Sequence, residues 1–392
     1  MTSRQRVYLD NNSTTALDPR VAEAMRPYLV EVYGNPSNLH SFGRECAEGL
    51  GKAREQVAAF LEADTEEVFF TGSGTESDNW AVKGAAMANR DRGRHVVCSP
   101  IEHGAVMESA RFLEREGFHV TWLKVDGHGL VDPEDVRRAL TDGTTIVTVM
   151  LANNEIGTVQ PMREIAEVCH ERGVLVHTDA VAAAGKTDVR PSELGVDLLT
   201  ISGHKLHAPK GIGVLYVKKG TRIDPLIHGG HQESGIRAGT ENVLGIVGMG
   251  RACELLKGEW RADAEKMRAL RDRLEQGILE RIPEVRVNGH PEKRAGNVCH
   301  VSVGYVEGEA LLLNLDLEGV AVASGSACAS EESGPSSTLD AIGVPPLFRN
   351  SPVRFSLGRD NTGEEIDFVL DRFEEVVTRL RDISPIWKKR RD

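Results

Sequence analysis

Along residues 66–217 the hydrophobic pattern repeats one unit: a short β-rich run, a Gly, Ser or Asn turn, then an amphipathic stretch. The β-rich runs fall at 67–71, 95–99, 119–125, 145–151, 174–179, 198–202 and 213–217. Helical spacing lies between the earlier ones, near 75–89, 104–116, 133–140 and 162–172. This alternation predicts an α/β fold, a mostly parallel sheet covered on both faces by helices. Open sheets of this kind bind ligands at the carboxyl ends of their strands, so the residues just after each run are the ones to inspect. Beyond Thr240 the pattern becomes a long helical stretch, expected to break near Gly258 and resume over 261–281. Short β-like runs at 298–303 and 353–357 and an amphipathic helix at 364–381 close the chain. The reading is a large domain over 16–258, and a smaller α+β domain built from 1–15 and 259–392.

With 392 residues, 40% hydrophobic and 27% charged, the chain is long enough for two or three packed domains and too ordinary in composition to be disordered or fibrous. Its 47 Lys+Arg against 59 Asp+Glu leave a net charge of −12, which repels nucleic acid and anionic membranes. The basic run Lys388, Lys389, Arg390, Arg391 is the exception and reads as a solvated tail. There is no apolar run of membrane-spanning length and no secretory leader pattern at Met1–Asp10, so the expected location is the cytoplasm. Cys46, Cys98, Cys169, Cys253, Cys299 and Cys328 are widely spaced without a CxxC pair, which argues against disulfides and against a required metal site.

Three motif-like segments fail on inspection. Residues 180–187, AVAAAGKT, would match a phosphate loop if Ala180 were Gly, but without that glycine the loop lacks its tight turn. Gly72-Ser73-Gly74 opens a helix after a strand, yet Ser77 stands where a dinucleotide fingerprint needs its third glycine. It still suits a single phosphate. His228 and His231, in HGGH, lack further ligands at matching spacing and read as a glycine-rich loop.

Five strand-end segments combine more productively. Residues 71–75, TGSGT, offer backbone N–H groups at a helix start, which favours an anion. Ile101-Glu102-His103 brings an imidazole, Asn153-Asn154-Glu155 polar side chains, His177-Thr178-Asp179 a carboxylate, and Ser202-Gly203-His204-Lys205 an amine. A phosphate cradle, an aspartate, a histidine and a lysine at neighbouring strand ends are what pyridoxal phosphate chemistry needs. Lys205 can hold the cofactor covalently, and Asp179 can keep its pyridine nitrogen protonated. Cys328 lies in SGSACASEESGPSS, a run with too few apolar residues to pack, so an exposed thiol is expected there.

These segments resemble the cysteine desulfurases of the nitrogenase-maturation and iron–sulfur-assembly kind, members of the aminotransferase class V group. The likeness runs nearly end to end, through YLDNNSTT (8–15), YGNPSNLHSFGR (33–44), TGSGTESDN (71–79), IEH (101–103), NNEIGTVQP (153–161), HTDAV (177–181), SGHKLHAPKGIG (202–213), GIRAGTEN (235–242), SGSACAS (324–330) and VRFSLGR (353–359). SGHK together with SGSAC is the specific combination.

The resemblance implies the type I pyridoxal phosphate fold and a homodimer. It implies that Lys205 attaches pyridoxal 5'-phosphate, that Asp179 pairs with its ring nitrogen, and that His103 stacks on the ring and relays protons. Gly74, Thr75, Ser202 and His204 would hold the phosphate, with Thr240 contributed by the partner subunit. Asn154 would contact the ring, while Asn35 and Arg354 would hold the carboxylate of L-cysteine. Cys328 would take the sulfur as a persulfide, release L-alanine, and deliver to an iron–sulfur scaffold or another acceptor protein, touching a cluster only during transfer. A selenocysteine lyase, another class V enzyme such as a transaminase, or a weakened sulfur-relay paralogue are the competing readings. Two positions depart from the family pattern. Ala182 stands where a glutamine usually donates to the cofactor's phenolic oxygen, and Ser234 where an arginine is common.

Overall fold

The computed structural model describes residues 5–324 and 336–391. In chain order the described strands are β1 (Val7–Tyr8), β2 (Val68–Thr71), β3 (His95–Cys98), β4 (His119–Trp122), β5 (Thr144–Thr148), β6 (Leu175–Asp179), β7 (Leu198–Ser202), β8 (Gly213–Val217), β9 (Val285–Val287), β10 (Val298–Val303), β11 (Val320–Ala321) and β12 (Pro352–Ser356). Seven form one sheet in the order β2-β8-β7-β6-β5-β3-β4. Its pairings from β4 through β7 are parallel, whereas β8 runs antiparallel to both β7 and β2. Strands β2, β3, β5, β7 and β8 are buried at every position, so they show no alternation of buried and exposed residues. Apolar clusters cover both faces, one around Val97, Val149, Ile165 and Ile201, the other around Trp80, Val96, Leu113 and Ile146.

A separate cluster gathers Val7, Leu9, Leu274, Val301, Phe355 and Phe373. It lies on the antiparallel sheet β12-β10-β9 and on the helix Gly363–Ile383. The N-terminal segment belongs to this cluster: β1 pairs with β11, and Asp10 bridges Ser356.

Two expectations are corrected. The helical stretch does not break near Gly258, because one helix runs without interruption from Val243 to Arg281. Gly258 faces solvent, where an added Cβ would meet nothing within 4 Å. Its propensity cost of about 1 kcal/mol is outweighed by burial of Ile246, Met249 and Leu256 in one core and of Met267, Leu274 and Ile278 in the other. The C-terminal basic run, expected as a solvated tail with nothing helical to organise it, is helical over Pro385–Arg391, with Lys388 exposed. Trp387 fastens that helix, lying 4.5 Å from the Arg381 guanidinium and 5.2 Å from the Tyr305 ring. The charges drew attention away from an aromatic that supplies the packing. No described helix is long and apolar enough to cross a membrane.

Candidate active site

The carboxyl ends of β2, β6 and β7 and the loops after β3 and β5 meet at one edge of the large sheet. After β2 the chain turns through Gly72 and Ser73 into the short helix Gly74–Asn79. Ser73 Oγ accepts from Glu76 N at 3.1 Å, and the first intrahelical bond is Ser77 N to Ser73 O. The N–H groups of Gly74 and Thr75 therefore precede the hydrogen-bonded turns and point outward for an anion. Gly74 packs so closely that a Cβ would lie 3.0 Å from Val181 Cγ2 and 3.1 Å from Ser202 Cβ. Ser202, the last residue of β7, is thereby brought against the Gly74 turn.

The tight turn Gly203–Lys205 continues directly from β7. His204 Nδ1 lies 3.3 Å from Thr14 Oγ1, and burial, then the charge of Lys205, pushes its imidazole down to about 4. It is neutral at ordinary pH. The Lys205 ammonium donates to the carbonyls of Asn12 and Ser13, the latter at 2.7 Å. Asp179 ends β6, and its Oδ1 accepts from Val181 N at 2.8 Å. Burial raises its carboxyl, while His103 and Lys205 act in the opposite direction. Oxygens of Asp78 and Asp179 and a ring nitrogen of His103 all lie within 4.8 Å of one another. His103 caps the helix Gly104–Arg115, its Nδ1 accepting from Ala105 N at 3.1 Å, which leaves the ring's hydrogen on Nε2.

On the opposite wall, Arg354 of β12 is buried and donates to Asp10 Oδ1 at 2.8 Å, Ser13 Oγ at 2.8 Å and Asn154 O at 3.0 Å. Asn12 Nδ2 also donates to Asn154 O, at 3.1 Å. Asn154 and Arg354 are thus joined directly, and both reach the segment that receives Lys205. Asn35 sits in an exposed loop, where its Oδ1 accepts from Ser37 N at 2.9 Å. Thr240 is exposed as well, beside a cavity of about 90 Å³ that Thr71 and Gly72 also line. Ala182 lies half-buried on the turn just after Asp179.

Cys328 falls in 325–335, outside the described residues. The residues on either side of that span are both tied to the site. Ala323 exchanges backbone bonds with Arg354, and the Ser336 and Thr338 hydroxyls donate to Glu155 at 2.6 and 3.0 Å. The other five cysteines are free and buried. Burial raises each of their thiols, Cys169 to about 12, so none offers a thiolate near neutral pH.

Several residues at this edge carry no sequence signal of their own. Glu102 is buried with Oε1 accepting from Met150 N at 2.7 Å, and desolvation pushes it up to about 8. Asp78 is raised by burial and then by the charge of Asp179, and its Oδ1 lies 3.6 Å from His177 Nε2. His177 is pushed down to about 3 by burial, so this contact is not an ion pair. Asn12, Ser13 and Glu155 complete the group. All of them lie inside the quoted motifs, yet the residues they meet are far away in sequence.

The aminotransferase class-V family model matches residues 7–369. The chain belongs to the aminotransferase class V family. Among its relatives, the cysteine desulfurase IscS of Methanosarcina thermophila is 47% identical over 388 residues, covering 99% of this chain and 96% of the relative. A cysteine desulfurase of Trichormus azollae is 48% identical over 379 residues, covering 97% and 94%. Of the solved structures, a NifS-like protein superposes with a TM-score of 0.90 at 38% identity, covering 96% of this chain and all of that one. SspA in complex with cysteine gives 0.80 at 32% identity, covering 91% and 100%. The fold is the type I pyridoxal phosphate fold, and the cofactor of this class V chain is pyridoxal 5'-phosphate.

The residues present fit that cofactor. The Gly74 turn packs closely against Val181 and Ser202, where an added Cβ would lie at 3.0–3.1 Å, and its first-turn N–H groups suit a phosphate. A buried carboxyl ends β6 at Asp179, and an amine follows the adjacent β7 at Lys205.

Proposed function

We propose that this chain is a cysteine desulfurase that converts L-cysteine to L-alanine and carries the sulfur on Cys328. The observation that carries the reading is the meeting of Lys205, Asp179, His103 and the Gly74 turn at one sheet edge, in a chain 47% identical to a named cysteine desulfurase. Bound at that edge, pyridoxal phosphate supplies a carbonyl carbon for the substrate amine and an electron-poor ring that holds the electrons released at Cα. Lys205 would hold the cofactor, and its free amine would take the Cα proton. Asp179 holds the proton on the ring nitrogen, and its burial strengthens that charge pairing. His103 would lie against the ring and, with its hydrogen on Nε2, would exchange protons with the thiols. Gly74, Thr75, Ser202 and His204 would hold the phosphate, with Thr240 contributed by the partner subunit, and Asn154 would orient the ring. Arg354 and Asn35 hold the substrate carboxylate.

The Cys328 thiolate attacks the substrate sulfur. An S–S bond forms, the Cβ–S bond breaks with its electron pair going to Cβ, and protonation at Cβ together with return of a proton to Cα yields L-alanine. Cysteine and thiol thus become alanine and persulfide with no outside oxidant or reductant. Burial of the other five thiols supports Cys328 as the nucleophile.

An iron–sulfur scaffold or another acceptor protein takes the persulfide sulfur. A homodimer is supported by the exposed apolar side chains Leu29, Val30, Tyr33, Leu39 and Phe42, a surface that a second copy would cover. Five unpaired cysteines support a reducing, cytoplasmic setting. The separate apolar clusters support a large domain over 16–258 and a small one from 1–15 with 259–392. Borohydride reduction of the holoenzyme followed by peptide mapping tests the core of this reading. The label is expected on Lys205, and a label on Lys186 or Lys210 overturns the assignment.

A further inference from the structure

The guanidinium assigned above to the substrate carboxylate already holds a carboxylate of this chain. Arg354 is buried, and its Nη2 donates to Asp10 Oδ1 and to Ser13 Oγ, both at 2.8 Å. Nη2 carries two N–H groups, so these two acceptors engage it fully. A planar guanidinium can grip a carboxylate through either of two forks, Nε with Nη2 or Nη1 with Nη2. Each fork includes Nη2. A carboxylate gripped by two bonds must therefore take the place of Asp10 or Ser13 on that nitrogen. Nη1 meanwhile donates to Asn154 O at 3.0 Å.

The turn from Asp10 to Ser13 presents both acceptors together. Ser13 N donates to Asp10 O at 3.0 Å and closes the turn, while Ser13 Oγ donates to Asp10 Oδ1 at 2.7 Å. Its backbone is fastened without help from the Asp10 side chain, because Asn11 N donates to Ser356 O at 3.0 Å and the Tyr8 hydroxyl to Asp10 O at 3.0 Å. The carbonyls of Asn12 and Ser13 on the same turn accept from the Lys205 ammonium. Pairing with Asp10 offsets the cost of burying the Arg354 charge. It also weakens the pull of that charge on any other anion. The Asp10 side chain is 20% exposed against 3% for Arg354, so Asp10 is the partner with access to water and the one able to yield. A carboxylate that arrives with an amine is held at the cofactor as well as at Arg354. One that arrives without an amine has only a guanidinium that Asp10 already occupies.

We infer that Asp10 is a specificity-determining residue, a resident carboxylate that competes with the substrate carboxylate for Arg354 and so favours ligands that also carry an amine. The inference rests on Arg354 being the residue that holds the substrate carboxylate. Its test measures binding to the full-length holoenzyme with three probes that lack the reactive thiol. L-Alanine keeps the amine and carboxylate of L-cysteine, ethylamine lacks the carboxylate, and propionate lacks the amine. Calorimetry gives the Kd of L-alanine and ethylamine, and displacement of L-alanine gives that of propionate. Asp10→Asn keeps an oxygen for Arg354 and Ser13 but removes the charge, and should tighten L-alanine and propionate roughly five- to tenfold while leaving ethylamine no tighter. Unchanged or weaker binding of L-alanine and propionate overturns the inference, the weaker result showing that Asp10 only holds Arg354 in place. Equal tightening of ethylamine overturns it too. If that variant does not fold, Asp10→Ser, which keeps a neutral acceptor, is read against the same criterion. Arg354→Gln separates the two claims, since it should weaken L-alanine more than tenfold and spare ethylamine. L-Alanine binding that survives Arg354→Gln overturns the carboxylate assignment itself, whatever the Asp10 variants show.

Discussion

Glu155 joins the substrate wall to the residues that follow the Cys328 segment, and removing it should loosen that junction. Its carboxylate is buried and accepts from Ser336 Oγ at 2.6 Å and Thr338 Oγ1 at 3.0 Å, both of which are also buried. Glu155→Ala leaves two buried hydroxyls without an acceptor, at about 1–3 kcal/mol each. Part of that is returned because burial raises the Glu155 carboxyl, despite the two hydroxyls and Arg354, so an unfavourable buried charge goes with it. A net loss of about 3 kcal/mol is expected. With about 2.1 cal/mol/K of unfolding entropy per residue over 392 residues, that lowers Tm by about 4 °C. Glu155→Gln should behave differently, since its amide can accept from Ser336 and donate to Thr338. A carboxyl raised by folding is most favourable when protonated, so its contribution to stability is full below the ordinary Glu range and declines as pH rises through the folded-state value. The glutamine variant lacks that decline. It should match or exceed wild type at pH 8, with its relative gain shrinking as pH falls toward 4. Calorimetry of the three proteins across pH, with alanine formation measured alongside, tests the argument. An alanine variant equal to wild type in both Tm and turnover would refute it.

Gly74→Ala should weaken cofactor binding by tenfold or more while leaving secondary structure intact, because the new Cβ meets Val181 and Ser202 at 3.0–3.1 Å and displaces the phosphate cradle; unchanged affinity by fluorescence titration counts against the cradle. Cys328→Ser should bind pyridoxal phosphate and L-cysteine but form no alanine, since only the acceptor of the sulfur is lost. Undiminished alanine formation removes Cys328 from the mechanism. Ala182→Gln should supply a donor to the cofactor's phenolic oxygen, worth roughly 1.5–3 kcal/mol, and shift the titration of the visible absorbance to lower pH by about one unit or more; an unchanged or raised value means the pocket is already satisfied around alanine.

The large sheet was legible because its central strands are buried on both faces and show no alternation of buried and exposed positions. Leu198–Ser202 and Gly213–Val217 have no polar face to confuse the reading. Lys205, Asp179 and His103 were legible for a related reason, since Asp179 ends such a run and the other two follow one closely. Helix continuity through Gly258 was not legible. Local propensity marks a glycine as a break, whereas the decision was made by cores on either side that the helix itself connects.

The supporting residues escaped because their partners are set by chain closure. Asn12 meets Asn154 across 142 positions, and Arg354 meets Asp10 across 344. No local pattern encodes those encounters, so NNSTT and NNEIG could be flagged only as polar segments. Lys186 makes the same point from the other direction. Gly185 and Lys186 have the spacing of a phosphate loop, and spacing alone can only reject them for want of the first glycine. Once the turn is seen to direct the ammonium onto the Lys205 carbonyl, the same two residues acquire a different chemistry. A glycine at positive φ fixes where a neighbouring cation goes, and the structure beneath that cation decides whether it meets a phosphate or another lysine.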